Sequence, residues 1–228
     1  MHAIVVAAVA ALLSLWPVGV NAQCANQCKG DFNCNGQVTI DEIIVSVNNA
    51  LYDCPAPGPR FIDNGNGTIT DTSTGLQWEK KDDWDNEPAA CPGSPSCTNP
   101  HDADNQYSWS ADGTDPNGSA YTDFLAKLNA ADGFAGHTDW RLPTAAELQG
   151  LLEYGQPGPL VASAFNTECT ADCTVVNCSC TALEYYWSTT TVEGLPDDAL
   201  SVDFNYGLVN PYTKTIGDFL RVRAVRGS

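Results

Sequence analysis

Ten cysteines constrain this chain more than any other feature, because none precedes Cys24 and one short run, Pro55-Ala56-Pro57-Gly58-Pro59, divides them into four and six. The four are Cys24, Cys28, Cys34 and Cys54; the six are Cys91, Cys97, Cys169, Cys173, Cys178 and Cys180. Both groups are even, so each side can close with its own bridges in an oxidising compartment. The run between them is stiff and extended by composition, as befits a linker. The expected organisation is therefore a module over residues 23–54, a linker over 55–59 and a larger domain over 60–228.

Disulfides presuppose export, and the first 22 residues read as the signal for it. Residues 4–15 are nearly all Ala, Val, Ile and Leu, Pro17 follows, and Val20-Asn21-Ala22 ends the stretch at a cleavage-like site. The run is shorter than the about 20 apolar residues of a membrane span. Gln23, standing before Cys24, is not the small residue that a lipid-anchoring signal requires. No later apolar run is long enough to cross a bilayer, so no membrane span is expected, and the reading is a secreted or cell-surface protein, extracellular or periplasmic.

Charge narrows the partners. The chain carries 10 Lys and Arg against 28 Asp and Glu, a formal net of −18. Nucleic acid and anionic membrane surfaces are held mainly by Lys and Arg, so both are excluded as expected partners. Six Trp, eight Tyr and seven Phe supply the material of a packed core.

Residues 31–42 read DFNCNGQVTIDE. Laid on a twelve-residue calcium loop, Asp31, Asn33 and Asn35 take positions 1, 3 and 5, Gly36 position 6, Gln37 position 7, Thr39 position 9 and Glu42 position 12. A hard cation of that size needs six to eight oxygens, and every ligand position offers one. Val38 at position 8 has the apolar character of a short inward-packing strand. Ile40, Ile43, Ile44, Val47 and Leu51 then recur at helical spacing. The module resembles the loop-helix repeat of dockerins, in a single copy, and calcium is the expected cofactor. Two of the three early ligands are neutral Asn, which places the expected affinity among extracellular modules, on the order of 10⁻⁴ M.

In the larger domain, Thr68-Ile69-Thr70 and Leu76-Gln77-Trp78 alternate as strands after a Gly and Asn turn. Residues 80–119 are polar and loop-like. Tyr121, Phe124, Leu125 and Leu128 share a helical face. Thr144 and Glu147 have capping-box spacing, so a second helix is expected from there to about Tyr154. Residues 200–207 alternate as a half-buried strand, and residues 220–226 alternate again as the last one. This succession predicts an α+β domain with a small antiparallel sheet and two helices.

Four segments in order, RFIDNGNGTITDTSTGLQWEK, FAGHTDWRLPTAAELQGLL, YYWSTTT and RVRAVRG, resemble the C-terminal domain family named after the Legionella collagen-like protein, Lcl, over residues 60–227. More distantly the domain is similar to the sulfatase-modifying and C-type lectin-like folds. The resemblance implies a C-type lectin-like mixed domain in a secreted or surface protein, and for the family's namesake an adhesin towards sulfated polysaccharides. From residue 60 onward this chain has 9 basic against 24 acidic residues, a net of −15. A heavily sulfated glycan would be repelled, so that ligand is not carried across.

Other constellations have plainer readings. Trp140, Arg141 and Glu147, and Trp187 with Ser188, invite reading as a site, but the favoured expectation is that Trp140 and Trp187 are core anchors and that Arg141 makes a structural ion pair. Arg221, Arg223 and Arg226 are expected to meet the protein's own carboxylates. The acids between Glu79 and Asp115, including Asp82, Asp83, Asp85, Glu87, Asp102, Asp104 and Asp112, fit no calcium loop and read as a solvated face. The C-x3-C-x4-C-x-C run from Cys169 to Cys180 could hold a soft metal as thiolates, but export favours disulfides. His101 and His137 stand in no recognisable catalytic set, so no catalytic residue is assigned. The expectation is a non-enzymatic, calcium-binding, exported binding or adhesion protein that recognises a glycan or cell-surface ligand. The alternatives are an oxidoreductase or hydrolase on the same scaffold, and a purely structural envelope protein.

Overall fold

The computed structural model describes residues 38–40, 43, 44, 47, 58–82, 99–171, 173–215 and 220–227. The chain divides into two compact units, Met1–Gly58 and Pro59–Ser228. In the first, Ile40, Ile43, Ile44 and Val47 are helical, and the Ile43 amide donates to the Thr39 carbonyl at 3.0 Å. Val38 is exposed, where the loop pattern had it packing inward. A unit this small can cover only part of its apolar surface.

Among its described residues the second unit has seven strands: β1 Phe61–Asp63, β2 Thr68–Asp71, β3 Gln77–Glu79, β4 Tyr185–Val192, β5 Leu195–Asp203, β6 Leu208–Thr213 and β7 Val225–Arg226. One antiparallel sheet has the order β1-β2-β3-β7, the other β4-β5-β6. Trp78 pairs with both Ile69 and Val225, so the last strand closes the sheet that the first strands open. With few and short helices this is a mixed, α+β-like arrangement of two small sheets rather than one.

The sequence periods are right in kind and wrong in extent. Thr144 caps the helix Ala145–Gln149 with a full capping box: its side chain accepts from the Glu147 amide, and Glu147 accepts from the Thr144 amide at 2.7 Å. The helix stops at Gly150 instead of reaching Tyr154, because Leu152 pairs in a β-bridge with Val161 and the Glu153 amide turns to the Leu160 carbonyl. Residues 120–128 begin as a π-helical segment, Ala120–Leu125, and finish as an α-helix, Ala126–Leu128. Phe124 and Leu128 are buried as the helical face predicts. The entry needs a glycine, since a Cβ on Gly118 would lie 2.4 Å from the Ser108 carbonyl oxygen.

Among the described residues the two larger apolar clusters make up most of the core, with a small third one of Ala103, Cys178 and Cys180. One gathers Tyr107, Trp109, Phe124, Trp140 and Trp187; the other Ile69, Trp78, Phe165, Tyr186 and Phe204. Tyr186 and Trp187 are consecutive on β4, and consecutive strand residues point to opposite faces. The β4-β5-β6 sheet thus has apolar packing on both sides. This corrects the half-buried reading of residues 200–207: Ser201 and Asp203, expected outward, are buried, and the Ser201 hydroxyl donates to the Asn210 carbonyl at 3.0 Å. Tyr206 falls beyond the strand, in the β5-β6 turn, and is exposed. The last strand is also shorter than expected, with Leu220 and Arg221 making isolated bridges to Tyr107 and Tyr186 ahead of β7.

Candidate functional site

Of the predicted calcium ligands, Asp31, Asn33, Asn35, Gln37 and Glu42 lie outside the described residues. Thr39 lies within them, exposed, at the start of the helical residues that follow the loop.

Trp140 and Trp187 are buried anchors. Their indole N–H groups donate to the Phe134 and Tyr107 carbonyls at 3.0 and 2.8 Å. Arg141 holds Glu147 with two hydrogen bonds, at 2.9 and 2.7 Å, on the same carboxylate that closes the capping box. The Arg141 guanidinium and the cap together keep the Glu147 carboxyl below its ordinary value. Ser188 donates to the Leu200 carbonyl and is structural.

The arginines divide. Arg226 donates to Asp139 at 2.7 Å, and Arg221 faces Asp104, as expected. Arg223 does not meet a carboxylate: fully buried, it donates to the carbonyls of Glu79 and Cys180 and to the Thr181 hydroxyl. Backbone carbonyls of two distant segments converge there because a guanidinium offers five donors in a fixed fork.

Beside Arg223 lies a cluster that sequence reading missed. Glu79 is fully buried, and its carboxylate accepts from Lys81 Nζ at 3.1 Å and from the Ala224 amide at 2.8 Å, with His101 Nδ1 at 2.8 Å. Lys81 Nζ also donates to the Pro100 carbonyl and stands 4.2 Å over the Phe124 ring. Burial pushes the Glu79 carboxyl upward, but the Lys81 and His101 partners outweigh it and hold the group below its ordinary value. Burial lowers the Lys81 ammonium against the pull of Glu79. His101, which stood alone in the sequence, also packs on Phe134 with ring centroids 4.2 Å apart. Only the position of Glu79 near a strand end hinted at this, and partners 22 and 145 residues away give no local pattern.

Among the described residues the acids of the 79–115 region do not form the solvated face expected: Asp82 and Asp104 are buried, and Asp112, though exposed, is bonded within its own loop. Asp82 accepts from Asn99, Asp104 faces Arg221, and Asp102 accepts from the Asp104 amide. Asp112 accepts from Ser110, Thr114, Asp115 and Asn117, and its carboxyl falls to about 2, chiefly through the Asp115 and Thr114 amides. Asp83, Asp85 and Glu87 lie outside the described residues. The cysteine run forms two disulfides, Cys169–Cys180 around Cys173–Cys178.

Among the described residues a cleft of about 360 Å³ is lined by Arg60, Phe61, Gly150, Leu152, Glu153 and Ser163, among others. Its guanidinium is fixed: Arg60 donates to both oxygens of Asp71, at 3.0 and 2.6 Å, and to the Gly150 carbonyl at 3.0 Å. Burial pushes the Asp71 carboxyl upward, but hydrogen bonds from Arg60 and Ser73 prevail and hold it at about 2. Directly after Glu153 in the chain comes Tyr154, 65% exposed, whose hydroxyl donates to the Gly207 carbonyl at 3.1 Å. A Cβ on Gly207 would meet the Tyr154 ring at 2.5 Å, so the glycine lets the ring lie across the β5-β6 turn. Tyr206, 67% exposed, and Leu208 flank that glycine. Exposed aromatic surface held by a hydrogen bond is a preformed contact, since little freedom remains to be lost on binding.

The family model described as the Lcl C-terminal domain matches residues 67–226 of this chain. No curated protein and no solved structure matches it.

Proposed function

Because the chain belongs to the Lcl C-terminal domain family, we propose that it is an exported, non-enzymatic binding or adhesion protein that recognises an uncharged glycan or a comparable cell-surface ligand. The observation that carries this reading is the exposed Tyr154 ring, fixed across the β5-β6 turn that also exposes Tyr206, while Glu153, the residue before Tyr154, lines a cleft. Pyranose rings present apolar faces that stack on such surfaces, and the polar groups of Arg60, Glu153 and Ser163 can bond to hydroxyls. An acidic domain of net −15, whose Arg221, Arg223 and Arg226 are engaged internally, is poorly made for sulfate. The disulfides and the family are compatible with an extracellular protein. A C-type lectin-like scaffold is the proposed kind of α+β domain, preceded by a cleaved signal peptide and a dockerin-like calcium module. Its metal ligands would be Asp31, Asn33, Asn35, Gln37, Thr39 and Glu42. Among the described residues no helix is long and apolar enough to cross a membrane.

A glycan array probed with the mature protein, with and without calcium, tests the reading. Binding to uncharged glycans is expected, weakened about tenfold or more, or ~1.4 kcal/mol, when Tyr154 and Tyr206 are both changed to Ala. An array without binders overturns it and leaves a structural envelope role ahead. Calcium titration by calorimetry tests the module separately: a binding heat is expected that Glu42→Ala abolishes.

A further inference from the structure

The two disulfides are neighbours as well as nested. Cys173 Sγ, bonded to Cys178, lies 3.9 Å from Cys180 Sγ, bonded to Cys169. The sulfurs of Cys173, Cys178 and Cys180 all lie within 4.8 Å of one another. Disulfides rearrange by attack of a thiolate on a bonded sulfur, so exchange within a folded protein requires a third sulfur within reach. Here one is.

We propose that these four cysteines form a thiol–disulfide exchange site whose substrate is an external dithiol. In the first step one thiolate of the dithiol attacks Cys173 Sγ, the Cys173–Cys178 bond breaks, and Cys178 leaves as thiolate. The second thiol of the dithiol attacks the mixed disulfide and releases Cys173 as thiolate. The dithiol is oxidised to its disulfide by two electrons, which the cysteine pair accepts. In the next step the Cys173 thiolate attacks Cys180 Sγ across the 3.9 Å gap. A Cys173–Cys180 bond forms, the Cys169–Cys180 bond breaks, and Cys169 leaves as thiolate; this step moves no net electrons.

The surroundings set the direction. Cys180 is fully buried and held at both ends of its residue: its amide donates to the Lys81 carbonyl at 2.8 Å, and its carbonyl accepts from Arg223 at 2.5 Å. The receiving sulfur is therefore anchored to the Glu79 cluster. Cys169 sits between exposed neighbours, Glu168 and Thr170. The new bridge spans 7 residues instead of 11 and closes a shorter loop. The reactive centre thus relays an opening at the inner bridge outward, to a thiol at Cys169. If the outer bridge is reduced first, the Cys180 thiolate attacks Cys173 and displaces Cys178, and the same product results.

The test uses the oxidised full chain and needs no knowledge of its binding ligand. The protein is treated with substoichiometric dithiothreitol, trapped with excess maleimide and cut beside Glu168 and Asp172 for mass spectrometry. Both routes predict label on Cys169 and Cys178 with Cys173 and Cys180 joined, as the main two-electron product of this region. Label on Cys173 and Cys178 with Cys169–Cys180 intact, or on Cys169 and Cys180 with Cys173–Cys178 intact, overturns the proposal. In Cys169→Ser, label shared between Cys178 and Cys180 is expected, and label on Cys180 alone counts against it.

Discussion

Glu79 and Asp112 are both carboxylates saturated with donors, yet they sit at opposite ends of what such a group can do for a fold. Glu79 is buried and takes its donors from Lys81, His101 and the Ala224 amide. Asp112 is exposed and takes four donors from within five residues. The hydrogen bonds are alike. What differs is what stays behind when the carboxylate goes: at Asp112 the exposed loop donors can turn to water and the buried Ser110 hydroxyl keeps Asn117 as an acceptor, whereas at Glu79 a buried ammonium loses the carboxylate bonded to it.

The largest effect should therefore follow Glu79→Gln. It keeps the shape and removes the charge beside Lys81, for an expected loss of about 3–5 kcal/mol in urea denaturation. A loss below about 1 kcal/mol would erase the contrast with Asp112. The double change Glu79→Gln with Lys81→Met sharpens it, because removing both charges should cost less than the sum of the two single changes.

Glu147 stands between the extremes, since its partners are local but partly buried. Glu147→Ala removes the Arg141 pair and one half of the capping box, and about 1–2 kcal/mol of stability should go with it. Arg141→Ala, which leaves the cap in place, should cost less. If the two cost the same, the cap contributes nothing at this helix.

These separations also explain what the sequence disclosed. The Thr144 and Glu147 box was legible because both ends lie within one turn, and the buried tryptophans because aromatic anchors need no partner of specified position. The helix end at Gly150 was not legible, since it depends on Leu152 pairing with Val161 across a loop. The outward reading of Ser201 and Asp203 failed for a related reason: alternation reports one buried face, and β5 is covered on both. His101 looked isolated because its carboxylate is 22 residues away. The cleft and the Tyr154 ledge were invisible, because Gly207 matters only through a ring 53 residues distant. The disulfide reading of residues 169–180 was legible from compartment alone, whereas the nested pairing waited for the geometry.

Asp71 separates acid sensitivity from local hydrogen bonding. Its carboxyl is held at about 2 in the fold, against an ordinary value of 3.8. A lowered folded value means that its contribution is fully present above about pH 4 and is lost as pH falls towards 2. Asp71→Asn should therefore flatten the fall of melting temperature between pH 4 and pH 2, and lower stability near pH 7. An unchanged slope in that window would show that Arg60 does not select the ionised form.

The smallest effect is expected at Asp112, and its smallness is informative. Its carboxyl is also held at about 2, but by donors of its own exposed loop. Asp112→Asn keeps one oxygen for the Thr114 and Asp115 amides, so the turn should persist with a melting temperature near that of the unaltered chain at neutral pH. A cation site behaves otherwise. If Asp112 belonged to one, the substitution would remove a calcium-dependent rise in melting temperature. Because its oxygens are already taken by Ser110, Thr114, Asp115 and Asn117, the expected result is that the calcium response of the full chain survives Asp112→Asn and disappears with Glu42→Ala. Thermal melts of the two variants with and without calcium decide between them, and loss of the response in Asp112→Asn would move the cation from the first unit to the second.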